Sequence, residues 1–76
     1  MRKLAKIYER LSKFDFITAI DPIAGGYKDF RIVGTYLYID GTQGLKLAYE
    51  NGAVFNASSI VFKEGSERME VENESE

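Results

Sequence analysis

The chain reads as an α+β domain: an N-terminal amphipathic helix, a small and strongly bent antiparallel β-barrel, and an acidic disordered tail. Three observations carry that reading. Apolar residues recur at helical spacing from Leu4 to Phe14. From Phe16 to Phe62, β-branched and aromatic residues fall in short runs parted by Gly25-Gly26, Asp40-Gly41 and Asn51-Gly52, and after Gly65 both patterns stop. Seventy-six residues make one domain, which buries only about 60% of its extended surface. Its boundaries fall at 1–65 for helix plus barrel and 66–76 for the tail.

Leu4, Ile7, Tyr8, Leu11 and Phe14 predict a helix over 2–14, with Glu9 and Lys13 one turn apart. Lys3, Lys6, Arg10 and Lys13 share another side, so four cations would line the exposed face. Such a stripe serves either as a solvated surface or as a rail for phosphates, whose binding releases counterions and weakens with salt. A helix this short is marginal alone and should dock its apolar face on the barrel.

Asp15 to Asp21 alternates as a first strand, and Pro22 ends its pairing. The following Ile23-Ala24-Gly25-Gly26 lacks phosphate-loop spacing and is a turn. Tyr27, Lys28 and Asp29 lead into the long strand Phe30 to Ile39, where Gly34 allows the sharp bend that lets one strand serve two sheets. Phe30, Ile32, Tyr36 and Tyr38 share one nominal side, and Val33, Leu37 and Ile39 share the other with Arg31 and Thr35. Both sides are too apolar for one wet face, so a closed barrel carrying the helix, or a homo-oligomer interface, is expected. Asp40 to Gly44 is a hairpin connection. Asn51-Gly52 predicts a two-residue type I′ turn, which sets Tyr49 against Val54, Ala48 against Phe55 and Asn56 against Leu47. Asn56 then lies at the barrel mouth or makes a specific hydrogen bond. After a short Ser58-Ser59 turn, Ile60, Val61 and Phe62 close the sheet.

Composition removes most chemistry. With no cysteine and no histidine, disulfides, thiolate zinc sites, nucleophilic triads and the commonest neutral-pH general base are missing. A non-enzymatic protein without metal or cofactor is expected. No apolar run approaches the ~20 residues of a membrane helix, and a soluble, cytoplasmic protein without membrane contact is expected. The net charge of −2 is uneven: residues 1–63 hold nine Lys or Arg against six Asp or Glu, whereas 64–76 hold Arg68 against six glutamates. A mildly basic body thus carries an acidic tail, which serves solubility or competes for a basic surface of its own or of a partner.

Phe30-Arg31-Ile32-Val33-Gly34 leading to Asp40, and Leu45 to Asn51 followed by Val54 to Val61, resemble the two conserved segments of Sm-like proteins, the bacterial Hfq branch in particular. The similarity covers about residues 16–63. It implies an SH3-like barrel and RNA binding by a ring of subunits, with bases near the strand loops and basic residues around them.

The residues themselves permit RNA. Single strands are held by stacking bases on aromatics beside cations, at ~1–3 kcal/mol per base, and Tyr27, Tyr36, Tyr38 and Tyr49 with Lys28, Arg31 and Lys46 supply such groups, Tyr27 foremost. The expected function is therefore a small regulatory protein binding single-stranded RNA through Lys3, Lys6, Arg10, Lys13, Tyr27, Lys28, Arg31, Lys46 and Asn56. The alternative is a protein-binding inhibitor of the kind phages and mobile elements encode. Its acidic tail would mimic nucleic acid toward a basic nucleic-acid-binding host protein. A third reading is a structural subunit that uses its apolar faces only to oligomerise.

Overall fold

Alternation in one central strand sorts the molecule into two faces. The computed structural model of the chain describes residues 3–70. Its elements run α1 (Lys6–Leu11), β1 (Phe16–Ile20), β2 (Tyr27–Leu37), β3 (Gln43–Ala48), β4 (Val54–Ala57) and a 3-10 turn (Ser59–Val61). The strands form an antiparallel meander in the order β1-β2-β3-β4. In β3, Leu45 and Leu47 are fully buried while Lys46 and Ala48 alternate with them. Leu45 and Leu47 define the inner face, which they share with Ile17, Ala19, Phe30 and Ala57, and onto which α1 lays Tyr8 and Leu11. Phe30 anchors this layer edge-to-face against Tyr49 and Phe55, at 5.2 and 4.9 Å between centroids.

The helix occupies only part of the expected span. Ala5 at its start is extended and offers no side-chain cap, and the i→i−3 bonds from Lys13 to Arg10 and from Phe14 to Leu11 turn the chain into β1. Burial of Tyr8 and Leu11, rather than helix propensity, holds this short element in place.

Both central hairpins have three-residue loops instead of a two-residue turn. Ile39-Asp40-Gly41 and Glu50-Asn51-Gly52 are built alike: the glycine has positive φ, 96° and 92°, and the Asx oxygen accepts the N–H two residues on, that of Thr42 or Ala53, at 2.9 Å. The extra loop residue shifts the last pairing by one. Ala48 meets Val54, Leu47 meets Phe55 and Lys46 meets Asn56. The polar Asn56 therefore faces a lysine on the outer side, not Leu47 in the core. A second single-residue shift lies in β2, where Ile32 pairs with Leu47 and Gly34 with Lys46, leaving Val33 as a bulge. Phe30 and Ile32 consequently point inward, while Tyr36 and Tyr38 do not share their side.

The strand pairing does not close into a barrel. Ile60 and Val61, expected in a closing strand, lie in the 3-10 turn, and Phe62 makes a single bridge, to Ala19. The free edge of β1 is instead covered by the segment that follows. The Lys63 N–H donates to the Thr18 carbonyl at 2.8 Å, and Arg68 and Phe16 exchange N–H and C=O bonds at 2.9 and 3.0 Å. Residues 66–70, read from the sequence as the start of the tail, are thus paired along β1. Residues 71–76 of that expected tail lie outside the described residues.

The β1–β2 loop is held by Asp21, which is buried. Its Oδ1 accepts the Ile23 N–H at 2.8 Å, the Ala24 N–H at 3.3 Å and the Tyr49 hydroxyl at 2.7 Å, and Lys28 Nζ lies 3.2 Å from Oδ2. These donors, the Ile23 N–H first and the Tyr49 hydroxyl next, outweigh burial and lower its pKa to about 2. The same burial and the same carboxylate raise that of Tyr49.

A Cβ at Gly44 would overlap the Ala57 carbonyl oxygen and lie 2.7 Å from the Tyr36 hydroxyl, whereas one at Gly34 would find Lys46 Cδ at 4.0 Å and nothing nearer. Gly44→Ala should cost about 3 kcal/mol or more in urea unfolding, and Gly34→Ala less than about 1 kcal/mol, because the space beside Gly34 is open and the register shift lies at Val33. Asp21, whose carboxyl falls from 3.8 to about 2 on folding, binds fewer protons folded than unfolded. Its contribution is therefore complete above about pH 4 and is lost as the pH falls toward 2. Asp21→Asn should lower Tm at neutral pH and flatten the dependence of Tm on pH across that window; an unchanged acid limb would contradict this role.

Candidate nucleic-acid interface

The outer face follows from the pairings. One row runs Arg68, Phe16, Arg31, Ala48, Val54 from the C-terminal segment through β1 to β4, and a neighbouring row runs Gly34, Lys46, Asn56. Two residues along β3 separate these rows, about 7 Å. Thr18 with Asp29, and Ile20 with Tyr27, extend the same face toward the Asp21 loop.

Cations lie over aromatic rings at three places on this face. The Arg31 guanidinium carbon is 4.6 Å and that of Arg68 5.3 Å from the centroid of Phe16. Lys63 Nζ is 5.7 Å from the Tyr27 ring, and Lys46 Nζ is 5.8 Å from the Tyr36 ring. Every cation–ring contact among the described residues belongs to this face. Beside the Phe16 ring opens a groove of about 580 Å³ whose lining includes Phe16, Arg31, Val33 and Val54 together with the carboxylates of Asp29 and Glu50. Val33 and Val54 in it are about half exposed.

Each cluster is fixed by polar partners. Asp29 accepts the Thr18 hydroxyl at 2.6 Å and pairs with Arg68 at 2.9 Å. The hydroxyl foremost, with the guanidinium, holds its carboxyl below the ordinary value against the cost of burial. Arg31 reaches Glu70 at 3.3 Å. Across the sheet, Asn56 donates from Nδ2 to the Tyr38 hydroxyl at 2.8 Å and accepts from Lys46 Nζ at 3.3 Å. Tyr38 leans on Tyr36 at 5.3 Å between centroids. Burial, with Tyr8 and Tyr38 beside it, pushes the Tyr36 hydroxyl pKa up, so it remains a neutral phenol. Tyr38 keeps about half its surface exposed. The face thus offers fixed cations for phosphates, guanidinium planes and a tyrosine for bases, and one amide held in a single orientation.

Of the residues singled out from the sequence, Tyr27, Arg31, Lys46 and Asn56 share this face. Lys6, Arg10 and Lys13 do not. They surround a shallow depression on α1 with Ile7 and Glu9, and α1 packs on the opposite side of the sheet. Lys3 precedes the helix, so the four-cation stripe is not continuous. Arg10 is paired with Glu67 at 2.9 Å, which keeps that glutamate below its usual pKa. Lys28 is turned to Asp21. Tyr49 points into the core, against Phe30 and Phe55. Sequence reasoning missed Phe16, Lys63 and Arg68. The one available signal was Arg68 itself, a solitary cation in a run of glutamates, whose place only the pairing with β1 reveals.

Among the described residues, no group of acidic side chains is arranged to hold a metal ion, and no helix is long and apolar enough to cross a membrane. Comparison with known proteins finds no family model, no curated protein and no solved structure that matches this chain.

Proposed function

We propose that this is a small non-enzymatic protein that binds single-stranded RNA across the outer face of its sheet. The observation that carries the reading is the gathering of Lys63, Arg68, Arg31 and Lys46 over aromatic rings on one side of the fold. The ion pairs there are about half exposed, and such pairs contribute only ~0–1 kcal/mol to folding. Their placement suits a ligand better than it serves stability. Phosphates would exchange onto the arginines and Lys46, bases would stack on Tyr38, Tyr27 or the guanidinium planes, and the amide of Asn56 would meet a base edge.

The relationship to Sm-like and Hfq-like proteins, with a ring of subunits and a cytoplasmic setting, belongs to the same proposal. A helix placed before a meander and a long, bulged second strand support it. For the alternative of an acidic mimic aimed at a basic host protein, the glutamates at 67 and 70 would have to leave Arg10 and Arg31 of their own chain. Pull-down with and without nuclease separates the two partners.

The direct test is fluorescence anisotropy with labelled oligouridylate and oligoadenylate over a salt series. Replacing both Arg31 and Lys46 by Ala should weaken binding about tenfold and reduce the salt slope by about 1.4, the value for two lost phosphate contacts on a single strand. Replacing Lys6 and Arg10 by Ala should change affinity less than about twofold. The opposite ranking would move the interface to the helix, and absence of binding by the unaltered protein would refute the function.

A further inference from the structure

Arg31 sits at the centre of the outer face, and its partner does not come from the sheet. Its Nη2 meets Glu70 Oε1 at 3.3 Å, and Glu70 is 39 residues further along the chain. The other arginine on the Phe16 ring is held differently. Arg68 pairs with Asp29 at 2.9 Å, and Asp29 belongs to β2 and is itself fixed by the Thr18 hydroxyl. Glu70 is tethered through its own N–H, which donates to Asp15 Oδ2 at 2.6 Å. The segment is thus anchored beside β1 with its carboxylate laid on Arg31. Arg31 lines the groove, and both members of its pair are about half exposed.

We propose that Arg31 is the phosphate subsite of this face, and that the Glu70 carboxylate is its built-in competitor, occupying the position of a phosphate oxygen until RNA displaces it. This rests on the RNA-binding reading above. A carboxylate and a phosphodiester offer a guanidinium the same pair of acceptor oxygens. The pair with Glu70 uses one guanidinium nitrogen within salt-bridge distance. Only the RNA brings neighbouring phosphates for Lys46 and Arg68 as well, so the exchange favours RNA once several contacts form together. The competitor also discriminates: an isolated anion that gains nothing beyond Arg31 must replace Glu70 contact for contact, whereas a strand crossing both rows gains at Lys46. Because the pair is solvent-exposed, salt weakens the competitor along with the ligand.

The test uses full-length protein, labelled oligouridylate, and four forms: unaltered, Glu70→Gln, Arg31→Ala and the double variant. Glutamine keeps the size and removes the charge, and thermal unfolding should show all four folded with similar Tm. An exposed pair closed half to four-fifths of the time reduces apparent affinity about two- to fivefold. Glu70→Gln should therefore tighten RNA binding by about that factor at low salt, and the gain should vanish in the Arg31→Ala background. Tightening that persists without Arg31 would mean general charge repulsion and would overturn the assignment of the subsite. Unchanged affinity in Glu70→Gln while Arg31→Ala still weakens binding would overturn the competitor and leave RNA binding standing. If no form binds RNA, the functional reading and this inference fall together.

Discussion

Residues of a β-strand belong to its two faces in strict alternation, and one inserted residue exchanges the faces of everything beyond it. That constraint governs this small sheet. Leu45 and Leu47 must both be buried, so Lys46 and Ala48 must both face away, and the neighbouring strands have to present matching sides. Two single-residue adjustments achieve it: the bulge at Val33 and the third loop residue before Ala53. With the bulge, β2 turns Phe30 and the half-buried Ile32 inward in one half and delivers Tyr36 beside Lys46 in the other. With the three-residue loop, Phe55 and Ala57 turn inward and Asn56 meets Lys46.

Stability and the candidate site therefore use different sides of the same strands. The inner side holds the aliphatic core, the Phe30 aromatic cluster and the docked helix. A chain of this size has little surplus burial, and the segment after the 3-10 turn helps by covering the edge of β1. An uncovered edge is also a template for unwanted pairing. The same segment carries Lys63 and Arg68 to the outer side, where they join groups from β1 and β2. Covering the edge and completing the cation set are one structural event.

The electrostatics show why net charge is a poor guide here. The whole chain is at −2, yet its outer face gathers cations over rings, two of them already met by carboxylates. Asp29 and Glu70 differ in kind. One is built into β2 and bonded to a neighbouring strand; the other arrives from the acidic C-terminal stretch and rests on an exposed arginine. Such pairs hold position without adding much stability, so they can be exchanged without unfolding the domain. The buried Asp21 is the contrasting case: surrounded by donors, it fixes the loop and takes Lys28 out of the basic surface.

Much of the fold was legible from local pattern. Apolar spacing located α1, alternation located the strands, and the Asx-Gly pairs marked both tight hairpins. These are properties of near neighbours in the chain, set by backbone preference and side-chain period. Loop length was not legible, because Asn-Gly suits both a two-residue and a three-residue turn, and only packing of Phe55 and Ala57 against the core selects between them. Nor was the exact place of the bulge: Gly34 is the residue a local rule marks, whereas the register leaves Val33 as the extra one. The candidate site was half visible: Tyr27, Arg31, Lys46 and Asn56 were identified by type, while the helix cations were grouped with them although α1 lies on the other side. Phe16, Lys63 and Arg68 join the site only through pairings between distant parts of the chain. Sequence alone thus determined which segments become helix and strand and which chemical groups are at hand. Tertiary structure decided which of them share a face, because that depends on register, and register is settled by burying the core rather than by any residue's own preference.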